Sequence, residues 1–143
     1  MVKSIITKPK RIIVARLSPG EDVLDTVTKL AVENEVTSGQ LTLIGAVGSA
    51  HLGYFDTEDK TYKSFQLDED LEVVSCMGNI ANHPEGIIIH AHMIVANEDG
   101  KCYGGHLMTG TKVSVTIEVI IIETEDTFSR AKDAQTGLNL LNL

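Results

Sequence analysis

Apolar residues recur along the chain at two different periods. Lys10 to Leu17 (KRIIVARL) is dense in β-branched residues and predicts a strand. The period then changes. Val23, Leu24, Val27, Leu30 and Ala31 recur at helical spacing with charges between them, which predicts one amphipathic helix over Pro19 to Asn34. Ahead of it, Ser18-Pro19-Gly20-Glu21 has the form of a capping box, with Pro19 at the first helical position and Glu21 able to reach back.

Most of the remaining chain reads as strand. The segments are Gln40 to Gly48, Ala50 to Phe55, Thr61 to Gln66, Leu71 to Met77, Gly86 to Val95, Lys101 to Met108 and Lys112 to Ile122. Their connections are short and rich in Asp, Asn and Gly, which favours antiparallel hairpins over βαβ units. In the last of them Val113, Val115, Ile117 and Val119 share one face, with Ser114, Thr116 and Glu118 on the other. It ends in Val119-Ile120-Ile121-Ile122, apolar on both faces, as in a central strand covered on both sides by the helix or by another subunit. The tail, Glu125 to Leu143, reads as a short helix followed by an apolar end. Leu138, Leu140, Leu141 and Leu143 need a docking surface on this subunit or a neighbour. No repeat, linker or low-complexity segment divides the chain, so residues 1–143 are expected to form one domain of the α+β class.

Composition narrows the function classes. With 43% hydrophobic residues the chain can build a core, which excludes a disordered protein. Twelve Lys and Arg against 20 Asp and Glu give a net charge of -8, which argues against a basic nucleic-acid binder. The only clustered cations are Lys3, Lys8, Lys10 and Arg11. Aromatic residues at 4% leave no stacking platform for single strands. Met1 to Lys10 lacks the apolar core of a signal peptide, and no apolar run reaches the ~20 residues of a membrane span. Cys76 and Cys102 then read as free buried thiols rather than a bridge, and the expected location is cytoplasmic with no membrane contact.

One constellation carries chemistry. His90 and His92 stand two apart in a strand and point to the same face. The loop Glu98-Asp99-Gly100 suits a three-residue hairpin, and counting back from it sets His92 opposite His106. Directly opposed residues share a face with Cβ atoms about 4.5–5.5 Å apart. Three imidazoles converging in this way are the donor set of a zinc site with an open position. The inference depends on parity: a two-residue loop, or a bulge at Gly104-Gly105, turns His106 to the other face. His51 and His83 have no such geometry and read as ordinary polar positions. Arg16, Glu72 and Glu118 are charges set in apolar strands, either on a solvated face, in an ion pair, or forming a polar wall around a pocket with Gly104 and Gly105. Asp56, Glu58, Asp59, Asp68, Glu69 and Asp70 read as solvated loop charges. No phosphate loop or nucleophile elbow is present.

The ordered set GEDVLDTVTKLA from Gly20, LEVVSCMGNI from Leu71, the HAH of His90 to His92, GGHL from Gly104 and the tail FSRAKDAQTGLNLLNL resembles the plant-and-prokaryote-conserved (PPC) domain in its stand-alone prokaryotic form. The resemblance implies an α+β fold with one main helix on a mostly antiparallel sheet, a homotrimer, and a metal site at His90, His92 and His106. In plants the domain is joined to AT-hook segments that bind DNA. This chain has no Arg-Gly-Arg-Pro core, and the plant Phe-Glu-Ile-Leu stretch is matched here by Leu71-Glu72-Val73-Val74. Three readings follow: an oligomeric binding module gripping a metal or small molecule; a zinc-dependent enzyme with Glu72 or Glu118 as general base; and a DNA-binding regulator by analogy with plants.

Overall fold

Helix and sheet segregate as the two periods require. The computed structural model describes residues 2–143. The strands are β1 (Pro9–Leu17), β2 (Gly39–Asp56), β3 (Thr61–Leu67), β4 (Leu71–His83), β5 (Gly86–Ala96), β6 (Cys102–Leu107), β7 (Lys112–Thr124), β8 (Ser129–Lys132) and β9 (Asn139–Asn142), with one helix, α1 (Val23–Glu33), after β1. All nine join one sheet, antiparallel throughout except for a single parallel contact between β4 and β8. This is the α+β architecture expected of the sequence. No helix among the described residues is long and apolar enough to cross a membrane.

The helix starts later than its apolar pattern suggests. Pro19-Gly20 forms a tight turn instead, with Gly20 at φ 86° and the Glu21 N–H donating to the Ser18 carbonyl at 3.2 Å. Glu21 does reach back, accepting from the Ser18 N–H at 2.6 Å. The cap, however, is Asp22, which accepts from the Asp25 N–H at 3.1 Å. At the other end Glu35 adopts φ 56°, and the Val36 N–H returns to the Ala31 carbonyl at 2.9 Å, a Schellman-type stop. Val23, Val27 and Ala31 face the sheet and are fully buried.

β2 is one continuous strand across the predicted break at Gly48 to Ala50. Small residues there bend it rather than end it. Gly45 needs its missing side chain, because a Cβ would lie 2.1 Å from the Thr116 carbonyl oxygen, and the register shifts on either side of it. The first half of β2 runs between β7 and β4, and the second half meets β3 and β6. Since β4 pairs with β5 and β5 with β6, these strands close a small circuit. Leu41, Leu52, Ile80, Met93, Ile117 and Ile121 fill its interior with the helix.

Two expectations are corrected. Val115 does not join Val113, Ile117 and Val119 in the core; it is exposed, because Gly45 pairs with Ile117 and Val47 with Val113, leaving Val115 in a bulge. The tail forms no helix. β8 and β9 make a hairpin, nucleated by Asp133, whose carboxylate accepts the N–H groups of Gln135 and Thr136, and by Gly137 at φ 76°.

The outer face of the sheet carries Ile12, Val14, Ile44, Val74, Met77, Ile94 and Ile120, all exposed. They lie on β1, β2, β4, β5 and β7 and are joined by direct pairings such as Val14 with Ile120 and Thr42 with both Ile120 and Met77. So β7 is covered on one face by the core and open on the other in the isolated chain.

Candidate metal centre

β5 alternates Ile89, Ala91, Met93 and Val95 into the core, which sends His90 and His92 outward. The hairpin to β6 has the predicted three-residue loop: the Asn97 N–H donates to the Lys101 carbonyl at 3.1 Å, and Gly100 has φ 75°. The ladder then runs without a bulge, pairing Ala96 with Cys102, Met93 with Gly105 and His92 with His106. The two glycines serve close approach rather than a register change. A Cβ on Gly105 would meet the Gly53 carbonyl oxygen at 2.7 Å, so only glycine lets β6 lie against β2 there.

The three rings meet on one face. Ring centroids are 5.0 Å apart for His90 and His92, 5.1 Å for His90 and His106, and 5.6 Å for His92 and His106. One ligand nitrogen from each lies within 4.8 Å of the other two, and Nε2 of His90 and His92 approach to 3.3 Å. Nδ1 of His106 is buried with no hydrogen-bond partner, an orphaned polar atom of the kind a metal ion relieves. Burial, with the neighbouring His90, His92 and Arg130 charges, pushes His106 down to about 4. Burial, Arg130 and His92 also lower His90. Both rings are therefore neutral at pH 7, the form in which imidazole binds a metal. The donor set fits a divalent ion of the zinc type, with three nitrogens and room for a fourth ligand.

Beside the rings lies a pocket of about 250 Å³ lined by Tyr62, Ile88, His90, His106, Arg130, Leu138 and Leu140. The Tyr62 ring is 4.9 Å from that of His106. The sequence reading missed Tyr62 and Arg130. Neither has a local signal: Tyr62 sits on an edge strand, and Arg130 sits in the tail read as a helix.

The other singled-out residues lie elsewhere. Glu72 is on β4, five residues from Met77, the strand partner of His92, or roughly 17 Å along the strand. It lines a groove with Asp70 and Glu98. Glu118 is on β7, directly opposite Arg16 of β1 and three strands from His92. His51 Nδ1 donates to the Thr109 carbonyl (2.8 Å) and His83 accepts from the Glu85 N–H, both ordinary polar roles. Both cysteines are free: Cys76 is buried, its thiol pushed up to about 12 by burial, but Cys102 is exposed against expectation, because it opens β6 beside the hairpin loop. Of the N-terminal cations, Lys10 pairs with the buried Glu123 at 3.1 Å, and Arg11 pairs with the same carboxylate.

A family model for the Plants and Prokaryotes Conserved (PCC) domain matches residues 5–125. The chain belongs to this family. Among solved structures, the PCC-domain chain is similar to a metal-containing protein of Archaeoglobus fulgidus at 31% identity and a TM-score of 0.91, covering 99% of this chain and 100% of that one. It is similar to a plant- and prokaryote-conserved protein of Pyrococcus horikoshii at 27% identity and TM-score 0.90, covering 100% and 98%. A candidate DNA-binding protein of Ralstonia eutropha matches at 25% identity and TM-score 0.83, covering 91% and 90%. A curated relative, the bifunctional protein GlmU of Synechococcus sp. (strain JA-3-3Ab), is 31% identical over 128 residues. That match covers 89% of this PCC chain, which spans only about a fifth of the relative's length, 20%.

Proposed function

We propose that this PCC-domain protein is an oligomeric binding module that holds a divalent metal, zinc, on His90, His92 and His106 and presents it to a small ligand. The convergence of three ligand nitrogens within 4.8 Å of one another carries the reading. The orphaned His106 Nδ1 supports it, as does the metal-containing relative from Archaeoglobus fulgidus. When bound, zinc on three nitrogens supplies a Lewis-acidic position open to an oxygen ligand or water. The chain's own residues hold the His90 and His106 rings neutral, chiefly by burial, and shape the pocket beside them. Glu72 and Glu118 lie too far from the rings to act as a base there, so binding is favoured over hydrolysis.

The assembly is a homotrimer. Its support is the outer face across β1, β7, β2, β4 and β5, which leaves seven large apolar side chains exposed in the isolated chain, together with the trimer that the family resemblance implies. DNA binding is disfavoured for this chain: the net charge is -8, and Glu123 pairs with both Lys10 and Arg11 and offsets one of their two charges.

The test is elemental analysis of protein purified without a histidine tag. One zinc per chain supports the reading, and a metal-free protein that gains none on dialysis against zinc overturns it.

A further inference from the structure

Arg130 lies outside residues 5–125, the span the family model matches, yet it lines the pocket beside His90 and His106. The residue is only 6% exposed. Its guanidinium has five N–H donors. Nη1 donates to the Asn139 carbonyl at 2.7 Å and Nη2 to Asn79 Oδ1 at 2.7 Å, both uncharged acceptors. Nε has no partner at all. Among the described residues no Asp or Glu forms an ion pair with it. Arginine does not give up its proton in a protein, so a full positive charge is buried here without a counter-charge. A buried charge lacking its partner is strongly unfavourable, and the missing partner is an anion.

The pocket states what kind of anion. Its lining brings together a planar guanidinium, two imidazoles of the histidine cluster, and the apolar side chains of Ile88, Leu138 and Leu140. A guanidinium fork matches a carboxylate in two parallel hydrogen bonds. The apolar walls suit a carbon body, which inorganic phosphate lacks. At about 250 Å³ the space fits only a small molecule.

We propose that Arg130 anchors a small organic carboxylate whose body lies against Leu138 and Leu140 and whose far end faces the histidine cluster. The ligand's contact with the metal rests on the metal reading above; its contact with Arg130 does not. The two therefore fail separately.

The experiment is calorimetric titration of the full untagged chain, zinc-loaded and metal-free, with propionate, with succinate and with inorganic phosphate. The expected result is carboxylate binding to both forms, tighter in the zinc-loaded one, and at least tenfold weaker in Arg130→Gln with its zinc content unchanged. Arg130→Lys, which keeps the charge and loses the fork, should fall between. The Arg130→Gln change also removes bonds to Asn79 and Asn139, so a second measurement avoids any folding defect. Arg11, Arg16 and Arg130 are the only arginines, and the Nε–H resonance of Arg130 in the unmodified protein should move when propionate is added. Equal carboxylate affinity in Arg130→Gln, an unmoved Arg130 resonance, or phosphate binding tighter than either carboxylate would each overturn the proposal. Carboxylate binding that is lost in Arg130→Gln but indifferent to zinc would retain the anchor and remove the metal from the ligand site.

Discussion

Met77 and His92 stand directly opposite each other on β4 and β5. Met77 is 58% exposed and belongs to the apolar outer face, while His92 belongs to the ring cluster. The pairing is one step in a lateral row that crosses the sheet from Val14 through Ile120, Thr42, Met77 and His92 to His106. The surface argued to carry assembly and the site argued to carry chemistry are therefore adjacent parts of one sheet face.

Assembly is the first consequence to check. Light scattering at micromolar concentration should give about three times the 15.5 kDa chain mass. Ile120→Asp and Val14→Asp place charge at two opposed positions on the exposed face, and each should yield a folded species of monomer mass. A wild-type monomer would sink the trimer.

Metal content should follow the ring cluster residue by residue. His92 is exposed, so His92→Ala should keep the fold while zinc falls from one per chain to below about a tenth, given the 10–100-fold losses typical even of supporting residues. His51→Ala, whose ring is bonded to the Thr109 carbonyl rather than grouped with the three, should leave zinc unchanged. Retained zinc in His92→Ala would exclude that ring as a ligand.

In the metal-free protein, stability should fall as pH drops from 6.5 toward 4. The unfolded chain protonates His106 near ~6.5, whereas the folded chain resists until about 4. Between those values the unfolded state binds more protons, so stability rises with pH across the window and levels off above it. Urea titrations at pH 4.5 and 7.5 should show a smaller difference in His106→Ala than in wild type. An equal difference would assign the effect to other groups.

Asp22 should be the most sensitive polar residue for the fold. It caps α1, accepts the Gly110 N–H at 2.7 Å, and lies 3.4 Å from Lys112 while 6% exposed. Asp22→Ala removes a cap and leaves the part-buried Gly110 N–H unpaired, for a loss of about 1–3 kcal/mol in chemical denaturation. A loss under about 0.5 kcal/mol would mean water replaces it readily.

Duplex DNA should bind no tighter than about 10⁻⁴ M at physiological salt, since a chain carrying -8 repels phosphate. Tight, steeply salt-dependent binding would reveal a segregated basic surface.

The ring cluster was legible because strand parity and loop length are both discrete. Once the loop is three residues, His92 and His106 share a face, and no packing detail intervenes. Other positions depended on contacts that a linear pattern does not carry. Val115 alternates correctly with its neighbours, but the bulge opposite Gly45 throws it outward. Ser18 has the right partner at Glu21 for a cap, yet Pro19-Gly20 prefers a turn and passes the role to Asp22. Arg130 was invisible, because its surroundings come from Asn79, Asn139 and the ring cluster, all distant in sequence or across a hairpin.

The C-terminal hairpin touches the rest of the sheet through little backbone: β8 meets β4 at the single pair Asn82 and Ser129, with the Asn82 N–H donating to the Phe128 carbonyl. It nevertheless furnishes Arg130, Leu138 and Leu140 to the pocket lining. On the ligand reading proposed above, a chimera joined just after Phe128 should therefore exchange the ligand preference of two relatives while the histidine ladder of β5 and β6, built wholly from other strands, stays in place.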